Sequence, residues 1–494
     1  MNYRSTRSEQ GTAVSAAVAI KNGIAPDGGL YMPETIPQLT AEDLQTLCGM
    51  SYPERAARIL SLYLSDYTEE ELLADCREAY SEVRFPGGAA PIRAITEQIH
   101  SLELWHGPTS AFKDMALQIM PRLLSRALKK TGETRTALIL VATSGDTGKA
   151  ALEGYRDVDG VKILVFFPTD GVSRIQKLQM MTQEGGNVGV LGIRGNFDDA
   201  QSGVKRIFGD ADIAARLNAA GVFLSSANSI NWGRLAPQIA YYVSAYCDMV
   251  NAGKLAMGDT LDIAVPTGNF GNIFAAFLAK KMGVPLGRLV CASNENDVLT
   301  DFLTSGVYNR NRPFHTTTSP SMDILISSNL ERLLYVCFGA KRTAECMKNL
   351  SETGHYSLAE AEIKKIGETF FGYACDQEET ADYIAEAFHK HGYLMDTHTA
   401  VGYGAAKKYA YEAWSATPLV LASTASPYKF APAVYAAIAN TDAPEGTAAL
   451  SALSALSGVA VPTPLSGLDE KPILHDRTID VAEMPAAVEA FAAR

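Results

Sequence analysis

The sequence predicts an α/β fold in which parallel strands form sheets covered by helices on both faces. Short apolar runs rich in β-branched residues, such as 136–142 (TALILVA) and 161–167 (VKILVFF), alternate with segments of helical pattern. Several of these runs end in loops of Gly, Ser, Thr and Asn, after which a helical segment begins. Alternation of this kind, with short connections, is typical of parallel sheets whose strands are buried on both faces.

Length and composition are those of an ordinary globular protein. The chain has 494 residues, of which 47% are hydrophobic and 20% are charged, and its net charge is −12 at pH 7. The length predicts about two to four domains. The acidic balance argues against a nucleic-acid partner, which normally requires a basic face. An anionic small molecule is compatible with it, because a local pocket can be positive on an acidic protein.

The sequence predicts neither a membrane partner nor a metal site. No run approaches the roughly 18 apolar residues that span a bilayer, and the first ten residues are polar rather than leader-like. The seven cysteines are scattered without a CxxC pair, and the eight histidines lack metal-ligand spacing. We therefore expect a cytoplasmic protein with reduced thiols and no bound metal.

The regular segments follow one another in a definite order. Helices are predicted at 41–50, 52–65 and 69–83, before a helix-breaking Pro-Gly-Gly sequence. Strands are predicted at 136–142, 161–167 and 188–193, with helices at 149–156, 173–182 and 198–209. The alternation resumes with strands at 261–265, 289–292 and 419–422 and a helix at 273–282. Residues 300–395 have mainly helical patterns and are expected to form a peripheral insertion.

The loop Gly268-Asn269-Phe270-Gly271-Asn272 stands between a predicted strand and a predicted helix. Glycines let the backbone approach a ligand closely, and a helix start offers free N–H donors and the positive end of the helix dipole. The pattern therefore predicts a phosphate cradle. A tight strand-to-helix turn that binds nothing is the alternative.

The loop at 143–148 follows the same logic and is predicted to bind a carboxylate or a phosphate. A nucleotide-binding P-loop is the competing interpretation, because Gly148-Lys149 resembles its end. That motif requires Gly where this chain has Thr143, and Ser or Thr where it has Ala150. The P-loop interpretation is therefore rejected.

Lys113 follows a tight turn and has apolar neighbours, among them Phe112 and Met115. Apolar surroundings disfavour the charged amine, and a neutral amine is a nucleophile that can form a Schiff base. An ordinary solvated lysine on a helix is the alternative that this segment alone does not exclude.

Taken together, several segments resemble the threonine synthase family of fold-type-II enzymes that depend on pyridoxal 5'-phosphate. The resemblance covers nearly the whole chain in the expected order, and it favours the longer microbial and fungal branch. It rests on HGPTSAFKD (106–114), ATSGDTGKAA (142–151), NFDDAQ (196–201), NSINWGRLAPQIAYY (228–242), PTGNFGN (266–272), SPSMDILISSNLERLLY (319–335) and ASTASPYKF (422–430).

The resemblance implies roles for individual residues. Lys113 matches the lysine that holds the cofactor as a Schiff base, and Gly268, Asn269, Phe270, Gly271 and Asn272 match the loop that binds its phosphate. Thr424 matches the hydroxyl residue near the pyridine nitrogen. The loop that grips the substrate carboxylate is matched by Thr143, Ser144, Gly145, Asp146 and Thr147. Asp146 also occupies the place beside the cofactor's ring hydroxyl.

Three positions depart from the family pattern. Ser110 replaces a leucine, Ser426 replaces a histidine, and Tyr428 replaces an alanine. The change at 426 puts in doubt whichever contact that histidine makes. None of the three changes affects Lys113 or Thr424.

The implied reaction converts O-phospho-L-homoserine and water to L-threonine and phosphate. The substrate phosphate is expected to need a cation, because charge-assisted hydrogen bonds are the strong ones. Candidates are Lys149, Arg194 and Arg234, each at a loop end or helix start, and a solvated surface charge is the alternative for each. Asn228, Ser229 and Asn231 are expected either to line the phosphate pocket or to satisfy buried backbone groups near Trp232.

We expect four segments: an N-terminal segment (1–95), a small substrate-side domain (96–215), a large cofactor domain (216–440) containing the helical insertion, and a tail (441–494). A monomer or a homodimer is expected. Two alternatives are another fold-type-II enzyme, either a serine/threonine dehydratase or a β-replacement enzyme, and a non-catalytic relative that binds a phosphorylated metabolite.

Overall fold

A computed structural model of the chain describes residues 1–143, 145–169 and 172–494. The N-terminal part contains β1 (Tyr3–Ser5), α1 (Ala16–Asn22), β2 (Tyr31–Pro33), α2 (Ala41–Cys48), α3 (Tyr52–Tyr63) and α4 (Glu69–Ala79). The next part contains β3 (Ile92–Ala94), β4 (Ile99–Glu103), α5 (Asp114–Leu117), α6 (Met120–Lys130), β5 (Thr136–Ala142), α7 (Asp146–Tyr155), β6 (Val161–Pro168), α8 (Arg174–Met181), β7 (Val188–Ile193), α9 (Phe197–Gly209), α10 (Ala211–Ala219) and β8 (Val222–Ser225).

The second half continues with α11 (Trp232–Leu235), α12 (Pro237–Asn251), β9 (Leu261–Pro266), α13 (Gly271–Lys281), β10 (Leu286–Ser293), α14 (Val298–Ser305), β11 (Val307–Asn309), α15 (Leu330–Thr353), β12 (His355–Ser357), α16 (Glu360–Gly367), β13 (Phe370–Ala374), α17 (Gln377–His391), α18 (Thr397–Glu412) and β14 (Leu419–Ser423). The tail contains α19 (Ala431–Ala439), α20 (Ala448–Ser457), β15 (Thr478–Ile479) and α21 (Met484–Ala492). Single 3₁₀ turns occur at Pro320–Met322, Pro427–Phe430, Thr463–Leu465 and Val481–Glu483.

A six-stranded sheet has the strand order β13-β10-β9-β14-β4-β3 and is parallel except for the edge pair β3–β4. Every residue of β9 and β14 is buried, which explains why these strands are continuous apolar runs rather than alternating ones. α12, α13 and α18 are almost wholly buried helices of this half of the molecule. Because the strands are parallel, their carboxyl ends lie along one edge of the sheet, where ligands of α/β proteins bind.

A five-stranded parallel sheet has the order β15-β7-β6-β5-β8. Its central strands β5 and β6 are buried through their middle residues. The last strand, β15, comes from the tail and pairs with the edge of β7, so the carboxyl end of the chain completes this sheet.

The predicted α/β class with parallel sheets is confirmed, and the predicted strands and helices occur within a few residues of their expected limits. The segment 300–395, expected to be a helical insertion, also contains strands: β11 and β12 form an antiparallel pair, and β13 joins the six-stranded sheet beside β10. α4 ends at Ala79 rather than at 83, because Tyr80 leaves the helical conformation and caps the helix. α7 begins at Asp146 rather than at 149, and an acidic residue in a first helical turn is favoured by the helix dipole.

The segment limits expected at 96 and 216 do not coincide with the limits of the two sheets. β4 lies in the six-stranded sheet although it falls within 96–215, and β8 lies in the five-stranded sheet although it falls within 216–440. Each of these strands is the neighbour of a strand far away in sequence, β14 for β4 and β5 for β8, and sequence patterns do not encode such pairing. The division into domains remains a prediction.

The described residues also bear on two classes of site. They include no helix that combines the length and the apolar character needed to traverse a bilayer. Within the same residues, no group of three or more His, Cys, Asp or Glu side chains is arranged to hold a metal ion.

Candidate active site

Lys113 lies immediately before α5, in the loop that leaves the carboxyl end of β4. The loop is fixed by the buried carboxylate of Asp114, which accepts hydrogen bonds from the Thr109 amide and hydroxyl, both at 2.8 Å. A side chain at Gly107 would collide with Asp114, because a Cβ there would lie 2.5 Å from its Oδ2. The Phe112 amide donates to the Thr424 carbonyl at 2.8 Å, so the loop is attached to the segment that follows β14.

The amine of Lys113 is buried among polar groups. Its Nζ donates to Ser321 Oγ at 3.2 Å and lies 3.9 Å from Asp146 Oδ2. Burial lowers the pKa of Lys113 to about 8, with Arg234 and Lys429 acting in the same direction against the opposing effect of Asp146. The alternative of an ordinary solvated lysine is excluded, because the side chain is only 11% exposed.

Asp146 forms the centre of the charge arrangement around Lys113. Its Oδ1 accepts from Lys429 Nζ at 2.7 Å and from Gln176 Nε2 at 2.9 Å, and Ser321 Oγ donates to Oδ2 at 3.4 Å. Burial alone would raise the pKa of Asp146, but Lys429 and Lys113 together hold it well below its usual range. Asp146 is therefore an anion shared by two buried lysines.

Lys429 was not identified by the sequence reasoning, although it belongs to the ASTASPYKF segment. It is fully buried, and it donates to the Thr109 carbonyl at 3.1 Å as well as pairing with Asp146. Its sequence position could have revealed it, because it lies among apolar residues of that motif and is therefore expected to be buried. A buried lysine requires an anionic partner, which points to a site.

A second group that the sequence reasoning missed is the pair Asp396 and His398. His398 Nδ1 lies 2.7 Å from Asp396 Oδ2, and both residues are buried. The Ser321 amide donates to His398 Nε2 at 3.2 Å, so the neutral imidazole carries its proton on Nδ1. The pair holds the 3₁₀ turn that presents Ser321 to Lys113.

The loop at 268–272 has the geometry of a phosphate cradle. Phe270 adopts the left-handed conformation with φ of 62°, and α13 begins at Gly271. A Cβ at Gly268 would lie 2.6 Å from the Ser321 carbonyl oxygen, so only glycine allows this close approach. The first amides of α13 have no acceptor within the helix, and they are available to an anion.

Asn272 supplies further evidence that a group belongs in this loop. Its Oδ1 accepts from the hydroxyls of Tyr241 and Tyr242 at 2.6 and 2.5 Å. Its Nδ2 is buried without a hydrogen-bond partner among the described residues. Buried polar groups are normally satisfied, so the free donor fits a cofactor phosphate bound at this loop.

The remaining predicted site residues are Thr424 and those of the loop after β5. Thr424 is buried, and no described residue forms a hydrogen bond with its hydroxyl, which is thus available to a ligand. Thr143 Oγ1 accepts from the amides of Gly145 and Gly148 at 3.0 and 2.9 Å, so this hydroxyl shapes the loop itself. Thr147 is partly buried in the first turn of α7, and Ser144 lies outside the described residues.

The three predicted substrate cations lie in different surroundings. Arg234 is buried and donates to the Ala227 carbonyl at 2.6 Å, and burial lowers its pKa to about 10. Lys149 instead donates to Gln183 Oε1 at 2.5 Å and pairs with Glu153. Arg194 is 60% exposed and pairs with Asp480 in the tail, because its strand β7 lies beside β15. Of these three cations, Arg234 is the one whose charge contributes to lowering the pKa of Lys113.

The residues of segment 228–231 differ in which of the two expected roles they fit, lining the phosphate pocket or satisfying buried backbone groups. Asn231 is structural, since its side chain bonds to the Ile20 and Ser226 carbonyls and to the Gly233 amide. Ser229 lies beside the cradle, with its Cβ 3.6 Å from the Cβ position of Gly271. The Asn228 side chain makes no hydrogen bond among the described residues, whereas its backbone carbonyl accepts from the Asn231 amide.

Three family models match the chain in succession. They are the threonine synthase N terminus over residues 2–80, the pyridoxal-phosphate dependent enzyme over residues 93–421, and the threonine synthase C-terminal model over residues 399–491.

Similar proteins and structures agree with these models. Threonine synthase of Pseudomonas aeruginosa is 38% identical, over 88% of this chain and 90% of that protein. The human protein "Threonine synthase-like 1" is 40% identical over 85% of this chain, but the chain spans only 57% of that longer relative. The crystal structure of threonine synthase from yeast has a TM-score of 0.89 at 34% identity, covering 100% of this chain and 99% of the other.

The pyridoxal-phosphate-bound threonine synthase from Brucella melitensis has a TM-score of 0.87 at 36% identity, with 100% of both chains covered. The chain therefore belongs to the threonine synthase family of pyridoxal-phosphate-dependent enzymes, as its resemblance indicated.

Proposed function

We propose that the protein is a threonine synthase that converts O-phospho-L-homoserine and water to L-threonine and phosphate. The observation that carries the proposal is the position of Lys113. Its largely buried amine lies 3.9 Å from the Asp146 carboxylate, and the charges of Arg234 and Lys429 lower its pKa. The loop 268–272, which offers the first amides of α13, is suited to a phosphate.

The cofactor fits the residues present. The free amides of α13 and the unpartnered Asn272 Nδ2 would hold its phosphate, and the Thr424 hydroxyl would contact its ring nitrogen. Lys113 would be its attachment point. When bound, pyridoxal phosphate supplies an electron sink that stabilises negative charge on substrate carbon atoms.

Lys113 is the group that moves protons in the proposed reaction. Its pKa of about 8 places a far larger fraction of neutral amine near neutral pH than an ordinary lysine has. The neutral amine removes the α proton, and the resulting ammonium returns a proton at a later step. Asp146 stays charged throughout, and Ser321 Oγ holds the amine in place at 3.2 Å.

Two anions of the substrate must be held at once. We assign the carboxylate to the loop Thr143–Thr147 at the start of α7, where amides and the helix dipole favour an anion. We assign the phosphate to Arg234, assisted by Asn228 and Ser229. Arg234 is suited to it, because the guanidinium has five N–H donors and forms one hydrogen bond with the described residues. Lys149 and Arg194, with their partners elsewhere, are not needed in this assignment.

The decisive experiment supplies O-phospho-L-homoserine and L-serine separately to the cofactor-loaded protein. We expect phosphate and threonine from the first substrate and no pyruvate from the second. Pyruvate from serine would identify a dehydratase instead. Binding of the phosphorylated substrate without any turnover would identify a non-catalytic relative. Cytoplasmic location and a monomeric or homodimeric state remain predictions, which cell fractionation and sedimentation would test.

A further inference from the structure

A cavity of about 720 Å³ is lined in part by the loop 107–110, which precedes Lys113. Its walls come from that loop, from the flank and carboxyl end of α7, from the segment after α8, and from the tail at 462–472. Lys113, Asp146, Arg234 and Thr424 do not line it. The volume falls within the range of pockets that bind small organic ligands.

The charged residues that line the cavity are mainly cations. Arg84, Lys149, Arg156 and Lys471 face it, against the carboxylates of Glu153 and Glu184. This excess of positive charge occurs on a chain whose net charge is −12. Glu153 is already shared between Lys149 at 3.4 Å and Arg156 at 3.5 Å, so one carboxylate serves two cations.

The cations also lie close enough to disfavour one another. Burial lowers the pKa of Arg84, and Arg122 and Arg156 add to the effect against the opposing charges of Glu153 and Glu78. Burial likewise lowers the pKa of Lys149, with Glu153 and Asp114 opposing the shift and Lys471 adding to it. Collecting like charges in partly desolvated positions is unfavourable unless an anion compensates them.

The cavity also presents a free hydroxyl and an apolar wall. Ser110 is buried, and its Oγ has no hydrogen-bond partner among the described residues. Position 110 is one of the three that depart from the family pattern, and serine in place of leucine leaves volume there. Trp105 stacks on His106 with 4.3 Å between ring centroids, and its indole nitrogen is bonded to Ser423, so it offers ring surface to the cavity.

We propose that this cavity is a second binding site, separate from the site around Lys113, for a small organic phosphate. The phosphate would be held by Arg84, Lys149 and Arg156, with Ser110 Oγ as an additional donor. A planar or apolar body would pack against Trp105 and the prolines of the wall. The inference does not depend on the proposed reaction, since no residue assigned to that reaction is needed here.

The test is calorimetric titration of the cofactor-loaded protein in phosphate-free chloride buffer with adenosine monophosphate, which combines a planar ring with a phosphate. Adenosine and inorganic phosphate are titrated separately. We expect the monophosphate to bind more tightly than either part. Arg84→Gln and Arg156→Gln should each weaken it about tenfold, the usual effect of losing one charge-assisted hydrogen bond.

Two controls separate this site from others. Arg216→Gln removes a surface arginine paired with Glu489 and should leave the affinity unchanged. Arg234→Gln should also leave it unchanged, whereas a loss confined to that variant would place the ligand in the site around Lys113. Arg156 is 42% exposed, so its variant is expected to fold even if the Arg84 variant does not. Absence of binding, or equal affinity for adenosine, would overturn the proposal.

Discussion

The surroundings of Lys113 and the cavity lined by the loop 107–110 use similar residues at different degrees of burial. Around Lys113, each buried lysine lies within 4 Å of a carboxylate oxygen of Asp146, and that carboxylate has both lysines and Gln176 as partners. In the cavity, four cations face two carboxylates, and one of these is shared. In both places one carboxylate serves two cations. The lysines around Asp146 are largely buried and tune a pKa, whereas Arg156 is 42% exposed and Lys471 is exposed, so the cavity leaves positive charge available to a ligand.

The largest effect is expected from removing Lys113, the amine to which the cofactor would be attached. Lys113→Ala should lower turnover at least about 10³-fold, because both cofactor attachment and proton transfer are lost. The absorbance of the bound cofactor should change with it. Lys205→Ala, which removes an exposed lysine of α9, is the control. Full activity of the Lys113 variant would refute the assignment of the site.

A second experiment measures how much burial of the charged Lys113 amine lowers the free energy of unfolding of the cofactor-free protein. The pKa of Lys113 is lower in the folded state (about 8) than in the unfolded chain, so the unfolded chain binds more protons between about pH 8 and pH 10.5. The free energy of unfolding should therefore rise with pH in this window, by about 3 kcal/mol relative to Lys113→Met. Denaturant titrations of both proteins at pH 7.5 and pH 10.5 measure it. Parallel pH dependence of the two proteins would show that the amine is not perturbed.

The effect of Lys429 on the pKa of Lys113 can be tested separately. Lys429→Met removes a cation that lowers the pKa of Lys113, so that pKa should rise. Because the neutral amine is the active form, the pH profile of kcat should move to higher pH. The buried Asp146 keeps Lys113 and Gln176 as partners, so the fold should survive. Lys429→Arg should restore most of the original profile. A profile that falls in height without moving would indicate a purely structural role.

The smallest effect is expected from Thr424, which bears no charge. Thr424→Ala should leave the cofactor bound through Lys113 and the loop 268–272. It should lower kcat by about fivefold, corresponding to one hydrogen bond of about 1 kcal/mol. The cofactor's absorption maximum should shift with it. Thr424→Ser, which retains the hydroxyl, is the matched control, and unchanged spectra in both variants would place the ring nitrogen elsewhere.

The parts of the molecule that can be predicted from sequence are those whose pattern is contained in one contiguous segment. Buried parallel strands such as β5 and β9 are continuous apolar runs, and the cradle at 268–272 is a contiguous glycine loop between a strand and a helix. The partners of Lys113 are not local. Lys429, Asp396 and His398 lie about 300 residues away, and they act on Lys113 through Asp146 and Ser321, the two residues next to its amine. Likewise, local sequence does not show that Arg194 pairs with Asp480, which follows the tail strand β15 beside β7.

The position of β14 between β9 and β4 has a consequence for how the protein matures on the ribosome. β4 and the Lys113 loop are synthesised long before the segments that they contact. β4 pairs with residues 419–423, and Ala111 of the loop pairs with Ala425. A nascent chain therefore carries an unpaired strand edge through more than 300 further residues of synthesis. The contacts of the Lys113 loop with β14 and the residues after it therefore form only once residues 419–430 have been synthesised.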